Sequence, residues 1–310
     1  MKKTSVLLTV VVLLSGVPIS AQQDSVVQVT LAYEGYETFG VALARQVEAG
    51  DGNGIDGYFR NSGVVLDEEA NAYYAVNGVH PVNRGDYSSY YPKSIVMASL
   101  EDDSIIRAYS FREVNGHDVD MEALTFAESP DYLYVGDEYN LIYELDLETG
   151  DILREWDLAD IGVETSVDRG IEAMTYSART DYFYAGIQAT RAVLVLDLSL
   201  DEGETLTQVD AFQLPPGFSP SGLSAHADGT LYVVSIGGGG QARNQSIFRY
   251  KADGTLLCTI NIPADLGLTR PDGIAFDSAN AFVYIVDSQG PMYGGHSLYK
   301  IPWKDPCEAE

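Results

Sequence analysis

The sequence predicts an all-β fold, a β-propeller, and three observations carry the prediction. A unit of about 50 residues recurs, with openings at Glu122, Glu172, Ser221 and Asp272 spaced by 50, 49 and 51 residues. Each unit reads strand, turn, strand, loop, strand, turn, strand, the pattern of a four-stranded propeller blade. The chain has 30 Gly and 21 Tyr but only 5 Met and 2 Cys, a mix that favours tight turns and strands over helices. Hydrophobic residues form 45 % of the chain, enough for a large core.

At the start, Met1-Lys2-Lys3 precedes an apolar stretch from Ser5 to Val17, and Ser20-Ala21 supplies small residues before Gln22. This reads as a secretory signal over residues 1–21, too short for a comfortable membrane span, with one propeller domain over 22–310. A secreted or periplasmic location is therefore expected. It would expose Cys258 and Cys307 to oxidising conditions; sequence alone leaves their pairing open.

The repeats then follow in order. A weaker copy begins at Ser62-Gly-Val-Val-Leu66, continues through Asn71 to Asn77, and resumes at Ser94 after the insertion Val79–Pro92, read as a recognition loop over the channel. The second runs from Glu122-Ala-Leu-Thr-Phe126 through Asp131–Asp137 to Leu141–Leu147. The third runs from Glu172-Ala-Met-Thr-Tyr176 through Asp181–Gly186 to Ala192–Leu198. The fourth opens at Ser221 and the fifth at Asp272-Gly-Ile-Ala-Phe276. Turns such as Glu148-Thr-Gly150 and Ala252-Asp-Gly254 put Gly where positive φ is cheap.

Residues 22–310 hold almost six units of this length. Six blades of four antiparallel strands are the preferred reading, with the sixth built from Gln22–Asn61. In the alternative, that segment supplies only the outer strand of the last blade and closes a five-bladed ring. The last repeat stops after three strands at Trp303, so some such closure is required.

Charge narrows the partners. With 46 acidic and 18 basic residues the net charge is −28, and loss of Lys2 and Lys3 makes it two units more negative. Such a surface excludes nucleic acid, whose binding needs Lys and Arg to displace counterions. Membrane insertion is not expected either. Oxygen-rich acids suit Ca²⁺.

The inner-strand openings Met121-Glu-Ala-Leu-Thr125, Ile171-Glu-Ala-Met-Thr175 and Pro271-Asp-Gly-Ile-Ala-Phe276 resemble those of the SdiA-regulated family and of the esterase-like domain of phytase. Tyr134-Val-Gly-Asp-Glu138 and Ile142–Gly150 are similar too, and the likeness spans about residues 62–303. The resemblance implies a secreted or periplasmic six-bladed propeller with Ca²⁺ held by acids near the central channel. The chain departs from calcium-dependent phytases in lacking an Asp-Asp-Pro-Ala segment at the first blade and in having few basic residues for a polyphosphate.

The opening residue of each inner strand should sit at one rim of the channel. Glu122, Glu172 and Asp272 would then converge, and a hard cation would relieve their repulsion. The second-strand ends add Asn77, Asp137, Glu138, Gln188 and Asp287. The expected metal set is Glu122, Asp137, Glu138, Glu172, Asp272 and Asp287, with Ca²⁺ as the cofactor. Ser62, Asn77, Arg169, Gln188, Ser221 and Arg270 are candidate ligand-binding residues. Arg169 and Arg270 adjoin the openers and are suited to clamping an anion, or to pairing with the neighbouring acids. His117, Arg169 and Arg270 are the catalytic candidates; no Gly-x-Ser-x-Gly elbow is present.

Two functions fit this pattern. One is a Ca²⁺-binding propeller that recognises a small molecule, glycan or protein at its channel mouth. The other is a Ca²⁺-dependent hydrolase of a phosphoester or lactone, with the cation polarising the substrate oxygen. A closed ring buries its own core, so a monomer is expected.

Overall fold

Five sheets surround one axis in the computed structural model, which describes residues 26–31, 33, 35–39, 61–77, 93–111, 113–115, 117–163, 169–199, 205–237, 245–288 and 298–308. Two short strands, β1 (Val27–Thr30) and β2 (Glu37–Phe39), come first. Blade 1 holds β3 (Asn61–Asp67), β4 (Ala72–Asn77), β5 (Lys93–Ser99) and β6 (Ile105–Phe111). A small hairpin of β7 (Glu113–Val114) and β8 (His117–Asp118) leads to blade 2: β9 (Met121–Phe126), β10 (Tyr132–Asp137), β11 (Leu141–Asp146) and β12 (Ile152–Asp157). Blade 3 holds β13 (Ile171–Ser177), β14 (Tyr182–Ile187), β15 (Ala192–Leu198) and β16 (Leu206–Gln213). Blade 4 holds β17 (Phe218–Ala225), β18 (Leu231–Gly237), β19 (Gln245–Tyr250) and β20 (Leu256–Asn261). Blade 5 holds β21 (Pro271–Phe276), β22 (Phe282–Asp287) and β23 (Leu298–Pro302).

Within each blade the strands are antiparallel neighbours in chain order, as the repeat predicted. The hairpin glycines Gly150 and Gly254 have φ of 82° and 79°, where a side chain would be strained. The leader 1–21, the insertion 79–92 and the proposed strand beyond Phe39 lie outside the described residues.

The ring of described residues closes with five blades, the alternative reading, in place of the preferred six. Five hydrophobic clusters fill five interfaces, one between each pair of adjacent blades. Tyr143 and Tyr74 pack between blades 1 and 2, Trp156 and Phe183 between 2 and 3, Tyr184 and Phe248 between 3 and 4, Tyr232 and Ile285 between 4 and 5. Tyr73 and Tyr284 pack between blades 5 and 1, so the last blade seals against the first. The described residues of the N-terminal segment add edges to existing blades: β2 pairs antiparallel with β23 as the fourth strand of blade 5, and β1 lies parallel to β20 outside blade 4. This closure leaves the last repeat no need of its own fourth strand.

The repeated motif explains the packing of the inner strands. Thr125 and Thr175, the last residues of Glu-Ala-Leu-Thr and Glu-Ala-Met-Thr, accept hydrogen bonds at Oγ1 from Tyr176 N and Ala225 N of the next blade, both at 3.0 Å. One position after each opener is always Gly or Ala. At Gly273 an added Cβ would lie 2.8 Å from Ser62 O, and at Gly222 2.7 Å from Gly273 Cα. Neighbouring backbones therefore approach more closely than a larger side chain permits.

The C-terminal tail is tied to blade 4. Cys258 and Cys307 form a disulfide. Beside it, Asp305 accepts from Tyr232 Oη and pairs with buried Arg249 at 2.7 Å, while Arg249 also meets Asp228 and Glu308. No helix among the described residues is long and apolar enough to cross a membrane.

Candidate functional site

Each inner strand carries a β-bulge at its opening. Along β9 the pairing steps from Ala123–Gly136 to Met121–Asp137, so the strand register passes over Glu122. Glu172, Ser221 and Asp272 are passed over in the same way in β13, β17 and β21, and Ser62 with Gly63 in β3. A bulge inserts one residue and re-aims its side chain out of the pleat. The repeat thus delivers an irregular residue to one level of every inner strand.

Glu122, Glu172 and Asp272 line a central channel with the inner-strand Gly and Ala residues, and its free volume is about 10 Å³. That holds about one water or bare ion. A substrate cannot thread the channel, so chemistry with larger molecules belongs on the rim.

Three carboxylates meet there. One oxygen each from Asp120, Glu122 and Glu138 lies within 4.8 Å of the others. This all-oxygen donor set fits a hard divalent cation such as Ca²⁺ and poorly fits softer metals. Glu172 adjoins the group. Its Oε1 accepts from Gln188 Nε2. Burial, a carboxyl hydrogen bond to Glu138 and the charges of Glu122, Glu138 and Asp272 push its pKa well above the usual range. Asp272 is paired with Arg270 Nε at 2.9 Å. Burial acts against the Arg270 charge, but Asp272, Glu172 and Glu122 outweigh it and hold the guanidinium ionised.

Of the residues expected at the site, the structure thus assembles Glu122, Glu138, Glu172, Asp272, Gln188 and Arg270. It places others elsewhere. The Asp137 carboxylate accepts from Asp120 N and Tyr139 N, both at 2.6 Å. Asp287 accepts from Thr269 N at 2.8 Å, Arg270 N at 2.9 Å and Thr269 Oγ1. Both are fully buried. Through these bonds they hold the loops that present Asp120 and Arg270. Ser221 donates to Pro271 O at 2.8 Å and ties blade 4 to blade 5. Ser62 is buried at the matching point of blade 1. Arg169 is exposed, and its carbonyl accepts from Ala189 N. Asn77 ends β4 and His117 lies on β8 opposite Val114; their side chains fall outside the described residues.

Asp120 is the site residue the sequence reading passed over. It stands two positions before its opener, as Arg270 does before Asp272 and Gly170 before Glu172. The position is equivalent from blade to blade but the residue type is not, so the repeat carries no signal for it. Gly170 has its own reason: a Cβ there would fall 2.2 Å from Glu138 O, so only glycine lets blade 3 close over the Glu138 loop.

Comparison with known proteins supports the fold and names a family. A family model for phytase-like proteins, described as the esterase-like activity of phytase, matches residues 60–255. No curated protein matches the chain significantly. Among solved structures, Myxococcus xanthus glutaminyl cyclase superposes with a TM-score of 0.55 at 11 % identity, covering 89 % of this chain and 97 % of that one. The β-propeller domain of Myceliophteria thermophila Cps50 (Swd1) follows at 0.46 and 11 %, covering 87 % and 98 %. At such identities the likeness bears on fold alone.

Proposed function

The chain belongs to the phytase-like family, described as the esterase-like activity of phytase, and from that premise we propose that it is a Ca²⁺-dependent hydrolase of small phosphoesters or related esters, acting at the acidic rim. The convergence of Asp120, Glu122 and Glu138 within 4.8 Å carries this reading. These three residues would hold the cation. When bound, a divalent cation supplies Lewis-acid polarisation of an ester oxygen.

The other groups have separable tasks. Arg270, kept ionised by Asp272, orients an anionic substrate oxygen. Glu172, fixed by Gln188 and adjoining Glu138, is placed to hold a proton and pass it to the leaving oxygen. Asp137 and Asp287 keep the loops of Asp120 and Arg270 in position. The narrow channel excludes bulk water from below. A single arginine beside so many acids favours a substrate with one anionic group over a polyphosphate. The leader-like residues 1–21 and the Cys258–Cys307 bond support an extracytoplasmic location.

The test is calorimetric Ca²⁺ titration followed by turnover of p-nitrophenyl phosphate, p-nitrophenyl acetate and a lactone panel, with and without chelator. Stoichiometric Ca²⁺ binding lost in Asp120→Asn and Glu122→Gln, with Ca²⁺-dependent turnover, is expected. Absence of Ca²⁺ binding overturns the site. Ca²⁺ binding without turnover on any class overturns the hydrolase and leaves a binding propeller.

A further inference from the structure

The two ends of the inner strands differ in character. The ends opposite the acidic rim, at Phe126, Ser177, Ala225 and Phe276, surround a cavity of about 340 Å³. That volume lies within the range of small-molecule sites, about 300–1,000 Å³. Its aromatic walls are held in place. Tyr176 donates its hydroxyl to Asp181 Oδ1 at 2.7 Å, and Phe276 packs edge-on against His226 at 5.7 Å and Trp303 at 5.1 Å between ring centroids.

Two polar side chains join these rings. His226 starts the turn that ends at Gly229, and its Nδ1 lies 3.0 Å from Asp228 Oδ1. Burial opposes the Asp228 charge, but the Thr230 hydroxyl and amide and His226 hold its pKa well below the usual range. Asp228 thus stays charged and orients the imidazole, and among the described residues no group bonds Nε2. Arg179 lays its stem across Gly229, where an added Cβ would fall 2.4 Å from Cδ. The guanidinium is exposed and has no ion-pair partner among the described residues. Arg154, Arg249 and Arg270 all pair with acids. Three acids around the cavity are turned to internal donors: Asp277 accepts from Phe282 N, Glu68 from Ser278, and Asp181 from Tyr176.

We propose that this cavity is a second ligand site, separate from the acidic rim, for a small planar anion of the aromatic carboxylate class. Phe126, Tyr176 and Phe276 take the ring, while Arg179 takes the carboxylate. The site does not depend on the hydrolase reading and is tested without it.

The probe is 2-naphthoate, titrated into the intact protein by fluorescence, with 2-naphthalenemethanol and a naphthyl trimethylammonium salt as neutral and cationic counterparts. Saturable one-to-one binding of naphthoate alone is expected. Arg179→Gln should weaken it about tenfold, the scale of a charge-assisted pair. Ala178→Trp, at an exposed cavity position, should block it, and both variants should melt like the parent. Glu122→Gln at the opposite rim should leave it unchanged. Equal binding of the neutral or cationic analogue overturns the anion assignment. Affinity indifferent to both Arg179→Gln and Ala178→Trp overturns the location. No saturation below about 10 mM overturns the site.

Discussion

Asp287→Asn separates a clamp from a cation ligand. The native carboxylate is fully buried and receives Thr269 N, Arg270 N and the Thr269 hydroxyl on two oxygens. Asparagine keeps one acceptor oxygen and turns an NH₂ toward a donor, so one buried backbone amide is orphaned. Such an orphan costs about 1–3 kcal/mol, and loss of charge assistance at the remaining bonds adds somewhat less. The expected destabilisation is about 2–3 kcal/mol, a sizeable part of the about 5–15 kcal/mol that domains possess. Alanine orphans both amides and should cost about 3–5 kcal/mol. In urea unfolding followed by tryptophan fluorescence, the asparagine variant should lose about 1 M of midpoint at unchanged slope, for a slope near 3 kcal/mol/M. Ca²⁺ stoichiometry should persist. A midpoint shift below about 0.2 M would refute the clamp, because a buried amide cannot lose its acceptor at so little cost. Loss of Ca²⁺ binding with stability intact would instead make Asp287 the ligand that its repeat position suggested.

Three further outcomes follow from the packing. Cys307→Ser opens a loop of sequence separation 49, and the chain-entropy relation gives a loss of about 4 kcal/mol, readable as a lowered melting temperature; an unchanged melt contradicts it. Gly222→Ala places a methyl 2.7 Å from the Gly273 backbone and should cost about 1–3 kcal/mol by overpacking the blade 4–blade 5 contact, seen as a lower urea midpoint; a neutral result would mean the inner strands can separate. Burial first, then neighbouring phenol and carboxylate charges, pushes Tyr74 and Tyr284 up to about 12. Their folded pKa values exceed the unfolded value of about 10, so their stabilisation is intact below pH 10 and is lost as pH rises toward 12; phenolate absorbance near 295 nm showing both residues ionised at pH 10 in the folded protein would contradict this.

The legible part of the site is what repetition made visible. Glu122, Glu172 and Asp272 recur at one point of the unit, and the bulges confirm that point as special. Asp137 and Asp287 also recur, yet recurrence does not say which way a side chain turns. Their oxygens face the loop before the opener because that loop's backbone amides need acceptors once buried. Asp120 was hidden for the opposite reason: it breaks the repeat, and a residue present in one blade has no pattern to announce it.

Local order was determined by the sequence itself: all-β character from composition and turn chemistry, four strands per unit from hydrophobic spacing, and the rim level from the recurring openers. These depend on interactions between residues close in the chain or equivalent between units. Only the tertiary structure decided the blade count, the disulfide and the partners of each acid. Ring closure rests on Gly273 meeting Ser62 and Gly63, and on β2 joining β23 across most of the chain. Such contacts depend on how far each blade rotates against the next, which the interlocking of five hydrophobic interfaces sets and no single repeat encodes.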